Sequence, residues 1–433
     1  MNKAAFYTLG CKVNQYDTEA VMESFIKSGY EIVEFHEYAD VYVVNTCTVT
    51  HLSDRKCRQM LRKTKKINPN SILVAMGCYA QAAKDNLKEQ IEEVNIVVGT
   101  DHRNKIIELV EEYNKQKKQY TNIVTDIMDV YEFEELQVST MSERTRVYLK
   151  IQEGCNNYCA YCIIPYVRGR IRSRKIDNII DEANRLADSG FKEIVLTGIH
   201  VASYGKDLNN ISLIDVIRRI HDIEGIERIR MSSIEPNLIT KYFVETIKSM
   251  PKLCHHFHLS LQSGSDSVLK RMNRKYNLDE YRQSVNRLRS IWEDVAITTD
   301  IIVGFPGETD SEFNETLSFV QEIAFSQIHI FPFSPREGTP AARMKDQITP
   351  TIKTMRAKKL SSLEKKLRKA FLNKHIGKKL HVLFEMYESD MLTGYTSNYL
   401  KFQTACTDHL ENKICQVIVD KVENNNLIGH IID

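Results

Sequence analysis

Apolar and polar residues alternate along residues 3–118 as short hydrophobic runs separated by longer stretches with helical periodicity. The runs predict buried strands, and the stretches between them predict amphipathic helices. The predicted strands lie near 6–9, 41–44, 72–75 and 96–98, and the predicted helices near 15–28, 51–67, 80–91 and 103–118. Strand–helix alternation of this kind favours an N-terminal domain, residues 1–118, built on a parallel α/β sheet.

The alternation stops in an acidic and polar stretch, residues 119–145, which we interpret as an inter-domain linker, and it resumes from residue 146 on a larger scale. The predicted strands are 147–152, 193–198, 228–233, 255–261, 296–303 and 327–333, with helices between them, for example at 177–189 and 310–323. Six strand–helix units predict a partial (β/α)6 barrel of the TIM type, with its active face at the C-terminal strand ends. A doubly wound sheet is the competing topology.

A basic, helix-prone segment, 351–375, ends this central region, and we place the boundary of the central domain, 146–370, within it. The remaining residues, 371–433, form a third region of short, alternating apolar runs with polar turns between them. Those runs are 380–387, 392–396, 400–405, 414–419 and 427–432. Five short strands in so few residues predict a small all-β barrel.

The composition agrees with a chain of several domains. The protein has 433 residues, of which 42% are hydrophobic and 27% charged, as in a soluble globular protein. No apolar run approaches the ~20 residues that span a membrane, and the first residues lack the apolar core of a secretory signal. We therefore expect a cytoplasmic protein without a membrane partner, in which clustered cysteines are metal ligands or catalytic groups rather than disulfides.

The net charge of +2 does not indicate a partner by itself, but the basic residues are unevenly distributed. Lysine and arginine concentrate in 55–66 and in 353–379. Each run alone is explained by a solvated helix face. Together, the two runs are also typical of a protein that binds nucleic acid.

Three cysteines follow the first predicted strand of the central region in the spacing C-x3-C-x2-C: Cys155, Cys159 and Cys162. A zinc site usually has four Cys or His ligands, and the loop offers no fourth. Iron–sulfur clusters are usually held by four thiolates, so three thiolates leave one iron open for a substrate or cofactor. We therefore predict an iron–sulfur cluster with an open iron; buried or zinc-bound cysteines are the alternative.

A second trio, Cys11, Cys47 and Cys78, is spread over the N-terminal region. Each member lies within about two residues of the C-terminal end of a predicted strand, where parallel sheets bind ligands. Individually, each would be an ordinary buried cysteine, but their common position favours a second cluster. The other cysteines fit no motif, and we expect them to be structural: Cys57, Cys254, Cys406 and Cys415.

The loop from Gly154 to Cys162 resembles the signature of radical S-adenosylmethionine enzymes. That resemblance implies a 4Fe–4S cluster whose open iron chelates the amino and carboxylate groups of S-adenosylmethionine. One electron then splits the carbon–sulfur bond and releases a 5′-deoxyadenosyl radical. Tyr161 matches the position beside the adenine, and the protein's task is to position the cofactor and to exclude water.

The sequences around the N-terminal trio, 8–17, 45–50 and 77–80, are similar to the three cysteine motifs of the methylthiotransferase family. The resemblance covers essentially the whole chain, including an N-terminal methylthiotransferase domain and a C-terminal RNA-binding barrel of the TRAM type. It implies a second 4Fe–4S cluster, on Cys11, Cys47 and Cys78, which carries the sulfur to be inserted. One S-adenosylmethionine methylates that sulfur, and another makes the radical that removes hydrogen from the target carbon.

Details of the motifs at 9–17, 45–50 and 197–205 resemble the branch that acts on N6-threonylcarbamoyladenosine at tRNA position 37. The implied partners are that tRNA and an electron donor such as flavodoxin or ferredoxin. Other enzymes of the family modify isopentenyladenosine in tRNA or an aspartate of a ribosomal protein, and both remain alternatives. A non-catalytic RNA-binding protein with a structural metal is a further one.

Residues at the ends of the central strands are the remaining candidates for the site. The residues that follow or lie in the third to fifth strands are expected to face the cofactor: Ser233, Glu235, Gln262 and Asp300. His200 is either a substrate contact or a structural histidine. Four arginines beyond the cysteine loop are expected to contact either the tRNA backbone or the threonyl carboxylate: Arg168, Arg170, Arg172 and Arg174. Residues of the small barrel are expected either to contact RNA or to form its core: Tyr395, Tyr399, Lys401 and Phe402.

Overall fold

The computed structural model describes residues 2–84, 86–115, 119–138, 145–406 and 408–432. The chain folds into an α/β domain, a partial barrel and a closed β-barrel, in the order that the hydrophobic pattern predicts. Among the described residues, no helix is long and apolar enough to cross a membrane.

Six parallel strands form the N-terminal sheet in the order β2-β1-β3-β4-β5-β6. Its elements are β1 Lys3–Thr8, α1 Lys12–Lys27, β2 Glu31–Val33, β3 Val41–Thr46, α2 His51–Ile67, β4 Ile72–Gly77, α3 Cys78–Ala83, α4 Asn86–Gln90, β5 Ile96–Val97, α5 Ile106–Lys115 and β6 Thr121–Asn122. All residues of β3 and β4 are buried, because a parallel sheet is covered on both faces. The edge strand β6 comes from the segment that we predicted as a linker.

The central domain carries six parallel strands. Its elements are β7 Arg146–Glu153, α6 Ile164–Arg168, β8 Arg172–Ser173, α7 Ile176–Asp188, β9 Glu193–Gly198, α8 Leu213–His221, β10 Arg228–Met231, α9 Lys241–Ile247, β11 His256–His258, α10 Asp266–Arg271, α11 Leu278–Ile291, β12 Ala296–Val303, α12 Asp310–Ile323, β13 Gln327–Pro332 and α13 Pro350–Asn373. Strands β7-β9-β10 and β11-β12-β13 pair in these orders, and isolated parallel bridges near Leu253 and Leu259 join the two groups. The partial barrel is therefore confirmed, and the short β8 runs antiparallel to β7.

Alternate residues of the central strands point to opposite faces. In β7, Val147, Leu149 and Ile151 join the large apolar core beneath the outer helices. Lys150 is turned the other way, and its ammonium group lies 2.6 Å from the carboxylate of Asp17 in α1. The N-terminal domain is therefore docked through α1 onto the face of the barrel that the outer helices leave free.

The C-terminal domain is a closed barrel of strand order β14-β15-β16-β18-β17. Its strands are β14 Lys379–Glu388, β15 Met391–Thr396, β16 Lys401–Ala405, β17 Ile414–Glu423 and β18 Asn426–Ile431. It packs against the N-terminal ends of the central strands: Arg228, the first residue of β10, donates to the carbonyl groups of Tyr395 at 2.7 Å and His381 at 2.8 Å. The cysteine loop lies at the opposite ends of those strands.

Candidate active site

The central cysteine loop leaves the end of β7 through Gly154, whose φ of +71° is unfavourable for other residues. A Cβ atom there would lie 1.7 Å from the carbonyl oxygen of Arg170, so only glycine fits. The amide of Cys155 donates to the carbonyl of Gly169 at 3.0 Å, and that of Cys162 to the carbonyl of Cys159 at 2.9 Å. These bonds fold the three cysteines into one compact loop.

The three thiols are placed to bind a cofactor rather than to react as free thiolates. Burial raises the pKa of Cys155 to about 11 and that of Cys162 to about 12. A guanidinium N–H of Arg274 lies 3.1 Å from the sulfur of the buried Cys159. Because metals bind the thiolate form, a bound cluster compensates the burial that keeps these groups protonated.

The N-terminal trio gathers at the carboxyl edge of its sheet. Cys11 is the residue before α1, Cys47 follows β3 directly, and Cys78 begins α3. Burial raises the pKa of Cys47 and raises that of Cys78 to about 12, and in both cases the charges of the neighbouring cysteines raise it further. The structure therefore brings together three cysteines that are far apart in sequence.

Neither trio is arranged around a single ion. Within the part of the chain that the structure describes, one group of three His, Cys, Asp or Glu residues has all its donor atoms within 4.8 Å of one another: His258, Asp300 and His329. Thiolates on one zinc ion at 2.3 Å lie only about 3.8 Å apart. A cluster binds each thiolate to a different iron and so spreads its ligands. The wider spacing of the cysteines fits an iron–sulfur cluster better than zinc.

A cavity of about 260 Å³ lies between the two domains beside the central cysteine loop. The predicted cofactor residues Tyr161, Gln262 and Asp300 line it together with Cys162, and Thr50 of the N-terminal domain completes its wall. The cavity is mainly apolar with a few convergent polar groups, as small-molecule sites are. It offers room for a small ligand beside Cys162.

Glu235, also predicted to face the cofactor, is not among the residues that line this cavity. Its carboxylate accepts a hydrogen bond from Asn157 at 2.9 Å and lies 2.7 Å from Arg274 and 3.3 Å from His200. Burial alone would raise its pKa, but the hydrogen bond to His200 and the charge of Arg274 lower it to about 2. With Asn157 and His200, Glu235 lines a second cavity of about 420 Å³, whereas Ser233 is exposed just after β10.

Arg274 is the main residue of this site that the sequence did not indicate. It links Cys159, a predicted cluster ligand, to Glu235, and its Nε donates to the hydroxyl of Tyr276 at 3.0 Å. In the sequence, Arg274 lies within a short basic run that looks like an exposed helix end. Its function becomes visible only when the loop after α10 is placed beside the cysteine loop.

The predicted RNA contacts lie in different surroundings. Arg168, Arg172 and Arg174 are buried, and Arg170 alone of the four is exposed, over the ring of Tyr131. Tyr399 packs on Arg230, with its ring centroid 4.5 Å from the guanidinium carbon. The remaining small-barrel candidates lie on β15 and β16: Tyr395 stacks on Tyr399, Lys401 is half-buried and Phe402 is buried in the barrel core. Contact of any of them with RNA stays a prediction.

Comparison with known proteins adds to this geometry. Residues 149–320 match the Radical SAM superfamily, and residues 3–99 match a family described as Uncharacterized protein family UPF0004. The chain is 43% identical over 427 residues to the threonylcarbamoyladenosine tRNA methylthiotransferase MtaB of Bacillus subtilis (strain 168), covering 97% of this chain and 94% of that protein. It is 36% identical to a tRNA-2-methylthio-N(6)-dimethylallyladenosine synthase of Thermoanaerobacter pseudethanolicus, covering 98% and 92%.

Among solved structures, the radical S-adenosylmethionine methyltransferase TsrM from Kitasatospora setae, with cobalamin and a [4Fe-4S] cluster bound, has a similar fold. The TM-score is 0.57 at 13% sequence identity, over 79% of this chain and 77% of that one. The likeness shows a similar fold over about four-fifths of this chain.

Proposed function

Since the chain belongs to the tRNA methylthiotransferase family of radical S-adenosylmethionine enzymes, we propose that it adds a methylthio group to C2 of N6-threonylcarbamoyladenosine at tRNA position 37. The observation that carries the proposal is the position of the two cysteine trios on facing edges of two docked domains, with a cavity between them that both domains line. A site of this kind holds a radical source and a sulfur source close to one target carbon.

The two cysteine trios have different roles in this proposal. Cys155, Cys159 and Cys162 hold the cluster that binds S-adenosylmethionine, while Cys11, Cys47 and Cys78 hold an auxiliary cluster. S-adenosylmethionine supplies both a methyl group and a 5′-deoxyadenosyl radical, which is needed because an adenine C2–H is not acidic enough for base catalysis. The walls of the cavity, with Tyr161, Gln262 and Asp300, orient the cofactor and exclude water. A flavodoxin or ferredoxin provides the electron.

Sequence similarity favours the threonylcarbamoyl substrate over the isopentenyl one. The chain is 43% identical to the relative that is named for threonylcarbamoyladenosine and 36% identical to the relative that is named for dimethylallyladenosine.

Nucleoside analysis of tRNA tests the substrate. Deletion of the gene should remove the methylthio derivative of N6-threonylcarbamoyladenosine from digested tRNA, as measured by mass spectrometry, and leave that of isopentenyladenosine unchanged. Re-expression of the wild-type protein should restore the nucleoside, and a Cys47→Ala variant should not. If the nucleoside persists in a strain with no second enzyme that makes it, the substrate assignment is wrong.

Iron and sulfide analysis of anaerobically purified protein tests the cofactors. Two 4Fe–4S clusters correspond to about eight irons per chain, and replacement of either trio by alanine should leave about four. Stoichiometric zinc without iron would support the alternative of a non-catalytic RNA-binding protein with a structural metal.

A further inference from the structure

Arg168 is a charged side chain inside the contact between the two cluster-binding domains. It is the last residue of α6, and its exposed fraction is 0%. Its Nε lies 3.2 Å from the sulfur of Cys78. A buried arginine that donates an N–H to a cysteine sulfur is an uncommon use of this residue, since a carboxylate is its usual partner.

The remaining nitrogens of Arg168 are all occupied, and they fix the orientation of the guanidinium group. Nη1 donates to the carboxylates of Glu153 at 3.0 Å and Asp17 at 3.1 Å. Nη2 donates to the side-chain oxygen of Asn14. Because the group is planar and both terminal nitrogens are held, its Nε–H is directed at Cys78 and cannot rotate away.

The contact crosses the domain boundary. Cys78 belongs to the N-terminal domain, whereas Arg168 follows the last central ligand, Cys162, by six residues in the central domain. The central trio has a parallel contact, from Arg274 to the sulfur of Cys159 at 3.1 Å. Each cysteine trio therefore has one ligand whose sulfur accepts an N–H from a buried arginine.

We propose that Arg168 is a positioning residue that raises the reduction potential of the auxiliary cluster by donating its N–H to the Cys78 sulfur. The inference rests on the proposed function, which places a cluster on Cys11, Cys47 and Cys78. Hydrogen bonds to ligand sulfurs and nearby positive charge stabilise the reduced, more negative form of an iron–sulfur cluster. Arg168 provides both, and it does so from the domain that generates the radical.

The test is a redox titration of the anaerobically purified holoenzyme, followed by electron paramagnetic resonance. Arg168→Lys keeps the positive charge between Asp17 and Glu153, but a lysine amine bound there no longer donates to Cys78. We expect the auxiliary cluster to become harder to reduce, by about tenfold in the one-electron equilibrium or about 59 mV. The central cluster should keep its potential. Arg274→Lys should produce the opposite pattern, and Arg282→Lys, in a surface pair with Glu322, should change neither.

A background in which Cys155, Cys159 and Cys162 are replaced by alanine isolates the auxiliary signal. If that variant holds no iron, the proposed two-cluster function fails. If it holds a cluster whose potential Arg168→Lys leaves unchanged, the inference about Arg168 is wrong while the function stands. Should Arg168→Lys lose the cluster, the charge-balanced pair Glu153→Gln with Arg168→Gln repeats the measurement, and an unchanged potential there overturns the inference as well.

Discussion

Asp17 gives the sharpest test of how the N-terminal and central domains are held together. Its carboxylate is fully buried and contacts three cations: Arg103, Lys150 at 2.6 Å and Arg168 at 3.1 Å. Glu153 is the other buried carboxylate of this network. Asp17→Asn preserves the volume of the side chain, so it removes one charge without leaving a cavity.

The expected loss is about 3–5 kcal/mol in the free energy of unfolding, which is typical when one partner of a buried ion pair is removed and the other charges stay. The measurement is urea unfolding at pH 7, followed by circular dichroism and by the fluorescence of the single tryptophan, Trp292. Because the central ligands do not depend on this contact, we expect the variant to lose auxiliary iron before central iron.

Asp177→Asn is the matched control. Its carboxylate lies 2.8 Å from Arg219, but its side chain is 80% exposed. Water and salt screen such a pair, so the expected loss is about 0–1 kcal/mol. If Asp17→Asn costs no more than this control, the buried network does not hold the domains together, and the reasoning is refuted.

The pH dependence follows from the same network. Burial alone would raise the pKa of Asp17, but Arg103, Lys150 and Arg168 outweigh burial and hold it below the ordinary value of 3.8. A carboxyl group with a lowered pKa stabilises the protein fully above its ordinary pKa, and this contribution disappears as the pH falls through the folded-state value. The stability difference between wild type and Asp17→Asn should therefore be constant near neutral pH and shrink below about pH 4.

Three further changes test other parts of the site. Cys57→Ala should keep all iron, because Cys57 belongs to neither trio and its thiol donates to the carbonyl of Cys47 at 3.3 Å, whereas Cys47→Ala should lose about half of the iron by colorimetric assay. Glu235→Gln should lower the free energy of unfolding by about 1.5–3 kcal/mol in urea titrations, since Arg274 loses its charged partner and a charged hydrogen bond contributes about that much. Tyr399→Ala should remove the contact with Arg230 and weaken the packing of the C-terminal barrel on the central domain by about 2 kcal/mol. The expected result is faster proteolysis between these two domains.

The regular elements could be predicted because their signals are local. Helix α2 has the predicted bounds, 51–67, since the side chain of Thr50 accepts the amide of Ser53 and caps its first turn. Strands β9 and β12 also match, as segments rich in isoleucine, valine and threonine between helical segments. The structure of the segment 119–145 was harder to predict, because its strand β6 forms only by pairing with β5. A two-residue strand leaves no periodic signal.

Buried arginines were the least predictable feature. In a sequence, an arginine next to a cysteine loop suggests phosphate binding, because arginine is seldom buried without partners. Arg168 and Arg174 are nevertheless enclosed, since Asp17 and Glu182 neutralise them from 151 and 8 positions away. The partner of Arg168 lies in the other domain, and the partner of Arg174 comes close only when α7 is folded, so the sequence alone shows neither pair. The predicted role of these two side chains in RNA binding therefore competes with the ion pairs that they make within the protein.

The arrangement of the three domains also determines from which side RNA can reach the candidate site. The cysteines of both trios lie at carboxyl ends of strands, and the cavity beside Cys162 and Thr50 opens between these two edges. The C-terminal barrel is fixed at the other ends of the central strands, through Arg228 and Arg230. An eight-residue strand such as β12 spans about 26 Å. Under the proposed function, any nucleotide held by the C-terminal barrel would therefore be a long way from the base that reacts, and we expect this barrel to contact the body of the tRNA rather than its position 37.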